Sequence, residues 1–179
     1  ALFSKYPIDV DAIRTFEEVL WRDLPGNLLP TSWYDEDERG IFRLSSKSHW
    51  DVPIDVDGQR FHFLVSHPTP PVFDGPEDRN GRRNHDEIRM WADYLTEGAS
   101  GYMGANFPVG ERFVIAGDQN ADPVRGDSVN SAINQLLNHP KVNASFVPER
   151  SGTSSESAKY DTATFNPVSY THLRAHETS

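Results

Sequence analysis

Short runs of β-branched and aromatic residues form the first pattern along this chain, and they predict three strands in its first half. The predicted strands are Arg43–Ser45, Trp50–Val56 and Gln59–Val65. Asp57-Gly58 lies between the last two, and Asp-Gly is the strongest short signal for a tight β-hairpin turn. A later apolar run, from Phe113 to Ala116, predicts a buried strand that stops at Gly117.

Two segments carry the periodicity of an amphipathic helix. The first is predicted from about His85 to Glu97, where Asn84 and Glu87 fit a capping box. Its apolar stripe consists of Ile88, Trp91, Ala92 and Leu95. The second is predicted from about Ser128 to Asn138, with Pro140 beyond its end. Its apolar face consists of Ala132, Ile133, Leu136 and Leu137.

The connections between these elements complete the predicted architecture. The proline-rich segment His67–Pro71 is too rigid for a helix or a central strand. The small polar residues Ser151–Ser157 predict a loop. Strands that arrive in hairpins, with two helices interleaved, predict an α+β fold in which an antiparallel sheet carries helices on its outer face. Trp50 and Trp91 are expected in the core.

Composition and charge narrow the class of protein. The 179 residues are enough for one domain with a real core, and 36% of them are hydrophobic. The net charge of −10 disfavours tight nonspecific binding of nucleic acid, although a local basic patch or a bound metal could override it. The absence of cysteine excludes disulfides and thiolate metal sites and leaves the compartment open. No apolar run is long enough to cross a bilayer, and Ala1 does not open a signal peptide.

Both ends of the chain suggest an internal fragment. The first residue is Ala1, without a methionine, in what reads as the middle of a strand. Val168–Thr178 closely resembles a translated transposon adapter from sequencing libraries. We therefore expect residues 1–167 to be the natural part and residues 168–179 a non-native tail. His172 and His176, four apart like helical metal ligands, are set aside with that tail.

The run that follows Phe113–Ala116 carries the strongest candidate chemistry. Asp118 and Asn120 come just past the end of a buried strand, so their side chains are held in place while reaching solvent. A carboxylate and an amide at this spacing suit a divalent metal with a phosphate. The same residues also suit an ordinary capped turn, because Asp and Asn readily bond their own backbone. A calcium loop is excluded, since its glycine and glutamate positions hold Pro123 and Val129.

Gly117-Asp118-Gln119-Asn120-Ala121, preceded by His67 at the end of an earlier strand, resembles the endonuclease/exonuclease/phosphatase superfamily. Three further stretches resemble a bacterial branch of it, namely Leu44–Asp51, His67–Gly75 and Arg79–Glu87. The likeness covers nearly all of residues 1–167. It implies a deoxyribonuclease-like four-layer α/β/β/α sandwich, here partial and lacking its N-terminal and C-terminal strands. It also implies cleavage of phosphate esters with a divalent cation, usually Mg²⁺ and otherwise Mn²⁺ or Ca²⁺.

The resemblance assigns roles to three residues. Asp118 would orient or help deprotonate the attacking water, and Asn120 would hold a phosphate oxygen or a metal-bound water. Both would contribute to the metal site. His67 would donate to the phosphate or assist the leaving group, a role that suits a side chain with an exchangeable proton near neutral pH. From the residues alone, a strand-end histidine held by the proline-rich turn is the favoured interpretation of His67, and the resemblance reverses this preference.

A dense cluster of basic and amide side chains supplies candidate substrate-binding residues, which are Arg79, Asn80, Arg83 and Asn84, with Arg82 between them. Arginine grips phosphate at two points, so the cluster could recognise the non-reacting part of a substrate. Alternatively, these arginines pair with the surrounding acids. Lys47, Ser48 and His49 form a second, weaker candidate wall, for which a polar strand edge is the alternative.

Two parts of the superfamily pattern are absent from the sequence. They are the early Asn and Glu that supply the main metal carboxylate and the closing Ser-Asp-His segment. We therefore expect the parent protein to be a metal-dependent phosphoesterase and this chain by itself to be inactive, the substrate and the choice between nuclease and phosphatase being open. The alternative is a binding module that kept the fold and lost catalysis. The bacterial resemblance further suggests an exported protein.

Overall fold

The structure, a computed structural model, describes residues 2–124, 126–129, 132–145 and 172–175. Within these residues, six strands form one sheet in the order β1-β2-β3-β4-β6-β5. The strands are β1 (Arg14–Thr15), β2 (His49–Val56), β3 (Gln59–Ser66), β4 (Arg112–Ala116), β5 (Val142–Asn143) and β6 (His172–Ala175). The α-helices are α1 (Glu36–Ile41), α2 (Arg79–Leu95) and α3 (Asn134–Leu137). Short 3₁₀ helices cover Val10–Ala12, Trp21–Asp23 and Gly101–Met103.

The predicted β2–β3 hairpin is confirmed. The two strands pair antiparallel along their whole length, from His49 opposite Ser66 to Val56 opposite Gln59. Asp57 and Gly58 form the turn with φ values of 54° and 80°. Two successive positive φ values match the right-handed twist of the paired strands, which explains why the Asp-Gly signal was informative here.

The sheet is mixed, so the prediction of a wholly antiparallel sheet is wrong. Strands β3 and β4 pair in parallel, with Val65 opposite Ala116, because α2 carries the chain back across the sheet between them. The predicted strand Arg43–Ser45 is also wrong, since Arg43 makes only an isolated bridge to Leu20. Strand β6 lies within the predicted non-native tail, and it pairs antiparallel with β4 and β5.

The first predicted helix exists, but it begins earlier than the sequence indicates. Helix α2 starts at Arg79, after an N-terminal Asp78 whose φ is 52°. Asn84 and Glu87 are therefore interior residues of the helix, and the predicted capping box is wrong. Of the second predicted helix, the described residues form only the four-residue α3, although Ala132, Ile133 and Leu136 are buried as expected. Ser151–Ser157 lies outside the described residues.

The core lies between α2 and one face of the sheet. Ile88, Trp91 and Leu95 of the helix pack with Leu64 and Ile115 of the central strands, all of them buried. Alternate residues of β2 and β3, such as Val52 and Phe63, lie on the opposite face. None of the helices in the described part of the chain has the length and apolar composition needed to cross a membrane.

The layer between α2 and the sheet is unusually polar. Asp51 on β2 accepts a hydrogen bond at 2.7 Å from the Tyr94 hydroxyl, and its other oxygen lies 2.6 Å from Nδ1 of His62. Arg14 donates to the same hydroxyl from the edge strand β1. Because buried polar groups are costly unless they are paired, this network fixes how α2 sits on the sheet.

Candidate active site

His67 and Asp118 lie next to each other at one edge of the sheet. Strands β3 and β4 run in the same direction and end at Ser66 and Ala116, so the residues that follow emerge at the same edge. Nε2 of His67 lies 4.0 Å from Oδ2 of Asp118. The two side chains are 47% and 43% exposed, so both reach solvent. The structure therefore brings together these two predicted catalytic residues.

Gly117 makes this approach of the two strand ends possible. Its φ is +128°, a conformation that side-chain-bearing residues rarely adopt. A Cβ at this position would overlap the backbone carbonyl oxygen of Ser66. The glycine therefore lets the backbone after β4 touch the end of β3, and this contact sets the position of Asp118 relative to His67.

Asn120 lies in the same loop as Asp118 and connects it to the loop that carries His67. Its backbone N–H donates to Oδ1 of Asp118 at 3.0 Å, which forms the capped turn that was one of the two predicted alternatives. Its side-chain Nδ2 donates to the carbonyl of Pro68 at 3.0 Å. The residue is buried, with a left-handed φ of 49°. Asp118 thus uses one oxygen for the turn, while the other faces His67.

Asn84 of helix α2 donates hydrogen bonds to both loops of the site, the one after β3 and the one after β4. Its Nδ2 donates to the carbonyl oxygens of Thr69 and Gln119, each at 2.9 Å. The side chain is fully buried. These contacts make Asn84 a link between the loop after β3 and the loop after β4.

Glu87, one turn further along α2, is a positioning residue that sequence reasoning missed. Its buried carboxylate accepts hydrogen bonds from the backbone and hydroxyl of Ser46 at 2.6 and 2.8 Å, and from the N–H of Thr69 at 2.5 Å. In the sequence, Glu87 is an acid on the apolar side of a predicted helix, and this position could have indicated its role. Its spacing of three from Asn84 is also typical of a capping box, which is how the pair was interpreted. A buried acid there implies polar partners from another element.

The other members of the basic cluster contact the protein rather than an open cleft. Arg83 donates from Nε to the carbonyl of Leu44 at 3.0 Å and from Nη2 to the carbonyl of Arg43. Its guanidinium lies 5.1 Å from the ring centre of Phe42, and burial lowers its pKa. Asn80 donates from Nδ2 to the carbonyl of Val72 at 2.7 Å.

Arg79 and Lys47 remain the more accessible cations of the two candidate walls. The Arg79 side chain is 46% exposed and lies 4.0 Å from Glu77, so one expected arginine–acid pair is present. Nζ of Lys47 lies 3.4 Å from the carbonyl oxygens of both His67 and Pro68. His49, in contrast, is buried between Ser45 and the backbone of Glu87, and burial lowers its pKa.

The donor set for a metal is small. In the part of the chain that the structure describes, no three histidine, aspartate or glutamate side chains come together as a cation site. Asp118 offers one solvent-reaching carboxylate oxygen, and Asn120 lies beside it. Hard divalent cations take six or more oxygen ligands, so these residues could supply only part of a magnesium or calcium shell.

Comparison with solved structures identifies the fold. SmcL matches with a TM-score of 0.51 at 16% identity, over 96% of this chain and 51% of that one. Sphingomyelinase C from Streptomyces griseocarneus matches with a TM-score of 0.49 at 17% identity, over 96% and 50%. Beta toxin from Staphylococcus aureus, solved with bound magnesium ions, matches with a TM-score of 0.45 at 16% identity, over 71% and 41%.

The likeness to SmcL, at 16% identity, shows a shared fold and supports the resemblance at that level. The chain has the predicted α+β, deoxyribonuclease-like architecture. It spans about half the length of the first two structures it matches. No protein-family model matches the chain, and no curated protein matches it.

Proposed function

We propose that this chain is part of a divalent-metal-dependent phosphoesterase that hydrolyses phosphodiester or phosphomonoester bonds. The observation that carries the proposal is the 4.0 Å approach of His67 and Asp118 at a solvent-reaching edge of the sheet. The deoxyribonuclease-like fold supports it, because the superfamily resemblance assigns catalytic roles to the same two positions. Fold alone does not define a reaction, so the proposal depends on the side chains.

The two side chains supply complementary parts of ester hydrolysis. Asp118 accepts a hydrogen bond from the attacking water through Oδ2, while Oδ1 remains bound to the turn. His67 donates a proton from Nε2 to a phosphate oxygen or to the departing oxygen. Asn120, whose Nδ2 donates to the carbonyl of Pro68 in the loop of His67, would hold a phosphate oxygen or a water bound to the metal.

A bound Mg²⁺, or Mn²⁺ or Ca²⁺ in its place, would neutralise charge that develops on the phosphate. Asp118 and Asn120 contribute to holding it. Because the described residues do not complete a cation site, we propose that this chain by itself does not turn over substrate and that the complete protein does.

We propose that the basic cluster recognises the substrate, one residue by direct contact and the others by shaping the wall behind it. Arg79 contacts the non-reacting part of the phosphate ester, because its guanidinium is half exposed. Asn80, Arg83 and Asn84 shape the wall behind it through the carbonyls that they bind. The acidic net charge favours a small ester over long nucleic acid. We also propose that the protein is exported by a bacterium, on the resemblance to the bacterial branch.

The test is turnover of an aryl phosphodiester and the matching monoester by the complete gene product with Mg²⁺. We expect turnover that a chelator abolishes and that Asp118→Asn lowers by about 10²-fold or more, because the isosteric amide cannot take up a proton. Asp122→Asn, in the same loop, is the matched control and should retain most activity. Turnover that resists chelation, or that Asp118→Asn leaves intact, would overturn the proposal.

The second candidate is a binding module that has the fold without catalysis. It is favoured by one observation, namely that Asn84 and Asn120 use their amide N–H groups to hold loops together. Calorimetry of the complete protein with inorganic phosphate distinguishes the two. Binding of phosphate without Mg²⁺-dependent turnover of either ester supports the module, whereas turnover excludes it.

A further inference from the structure

Lys47 is a cation at the candidate active site that has no role in the proposed function. The antiparallel pairing of β2 with β3 places the residues just before β2 beside those just after β3. Nζ of Lys47 accordingly lies 3.4 Å from the carbonyl oxygens of both His67 and Pro68. The side-chain amide of Asn120 donates to the same Pro68 carbonyl. The ammonium group therefore lies beside the loop of His67 and close to the side chain of Asn120.

The charge of Lys47 is available to an anion. Its two contacts are long for N–H···O hydrogen bonds, whose usual length is about 2.9 Å. An ammonium group has three donors, so it keeps capacity for a further acceptor. Lys47 is exposed, and no carboxylate pairs with it in the part of the chain that the structure describes. Arg79, the other accessible cation, has Glu77 at 4.0 Å.

The backbone that carries Lys47 is held by the same buried carboxylate that holds the loop of His67. The preceding residue, Ser46, donates from its N–H and its hydroxyl to Oε1 of Glu87 at 2.6 and 2.8 Å. The other oxygen of Glu87 accepts the N–H of Thr69, two residues after His67. Because both segments are fixed to one side chain, the ammonium group and the imidazole start from set positions relative to each other.

The charge of the substrate decides how strongly such a cation acts on it. A phosphate monoester carries a charge of about −1.5 to −2 at neutral pH, whereas a diester carries a single negative charge. The attraction between two charges is proportional to their product, so a fixed cation attracts the monoester more strongly than the diester. Lysine binds phosphate as a point charge on a flexible stem, which suits an exposed side chain at the edge of a site.

We propose that Lys47 binds a non-bridging oxygen of the reacting phosphate and favours phosphomonoesters over phosphodiesters. This inference rests on the proposed function and deepens it by naming the class of substrate. Lys47 donates a hydrogen bond to the phosphate and exchanges no proton with it. His67 and Asp118 keep the roles given above, and Arg79 contacts the non-reacting part of the ester.

The test compares an aryl phosphomonoester with the matching methyl aryl diester, using the complete gene product with Mg²⁺ at pH 8, where the monoester is doubly charged. In Lys47→Met, we expect kcat/KM to fall by about tenfold or more for the monoester and by about threefold or less for the diester. Lys47→Arg keeps the charge and should retain the preference. Lys5→Met, at an exposed lysine beside Tyr6, is the matched control and should change neither value.

Calorimetry with inorganic phosphate and Mg²⁺ gives a second readout that does not need turnover. We expect the Kd of phosphate to rise by about tenfold in Lys47→Met and to stay unchanged in Lys5→Met. Equal losses on the two esters, an unchanged Kd, or no phosphate binding by the unaltered protein would overturn the inference. If the unaltered protein turns over neither ester, the proposed function fails, and the Kd of phosphate alone decides whether Lys47 binds it.

Discussion

The imidazole of His67 lies 4.0 Å from the carboxylate of Asp118, at the ends of two parallel strands. Neither side chain is fixed by a direct hydrogen bond to the other at this distance. Their positions depend instead on the backbone around them. The pair itself and the residues that hold its loops can therefore be tested separately.

Replacing His67 by alanine should lower kcat of the complete gene product on an aryl phosphodiester by about 10² to 10⁴-fold, because a positioned proton donor is lost. His139→Ala is the matched control, since that histidine is partly exposed and bound to Thr96 elsewhere. Steady-state kinetics at neutral pH provide the comparison. Equal losses in the two variants would contradict a catalytic role for His67.

Gly117→Ala should destabilise the chain by about 3 kcal/mol or more, because the added Cβ meets the carbonyl of Ser66 and the backbone conformation is strained. Gly101→Ala is the control, since a Cβ added there would have no other atom within 4 Å. The free energy of unfolding from urea titration measures both. A Gly117→Ala protein as stable as Gly101→Ala would show that the two strand ends are not in contact.

Asn84→Ala should cost about 2 kcal/mol of stability, because it leaves the buried carbonyls of Thr69 and Gln119 without their donor. The exposed residue Asn138 is the control, and its alanine variant should change stability by no more than about 0.5 kcal/mol. Hydrogen exchange locates the effect, which we expect in both site loops at once. Loosening of only one loop would argue against the link.

Lowering the pH should destabilise the chain partly through His49. Burial lowers its pKa, so the folded state leaves it neutral while the unfolded state takes up a proton below its ordinary value of about 6.5. The unfolded state then binds more protons, and stability falls as the pH falls, by at most about 1.4 kcal/mol per pH unit. His49→Gln should remove this component. Urea titrations at pH 7 and pH 5 test it, and unchanged pH dependence in the variant would refute it.

The sequence predicted best where one local signal decides the structure. Asp57-Gly58 specifies a turn by its backbone preferences, and the apolar run ending at Gly117 specifies a buried strand. The direction of pairing between β3 and β4 was not predictable in the same way, because it depends on where α2 returns the chain. The closeness of His67 and Asp118 therefore came from the resemblance and not from the pattern.

The start of α2 was missed for a physical reason. Asn84 and Glu87 are buried polar residues in a helix interior, and their partners are loops that a periodicity argument cannot see. Arg83 was expected to grip phosphate, but in the structure its guanidinium binds the carbonyls of Arg43 and Leu44. A free arginine and a structural one look alike in sequence, because only the tertiary contacts distinguish them.

The parallel pairing of β3 with β4 has a kinetic consequence. Groups 52 positions apart, such as Asn120 and Pro68, meet only after the whole intervening segment has closed into a loop. Such closure is entropically expensive and slows folding relative to local hairpins. The β2–β3 ribbon is therefore expected to assemble early and the reactive edge late. During refolding, His67 and Asp118 would then come together only when the long-range pairing of β3 with β4 is complete, and not at the first collapse of the chain.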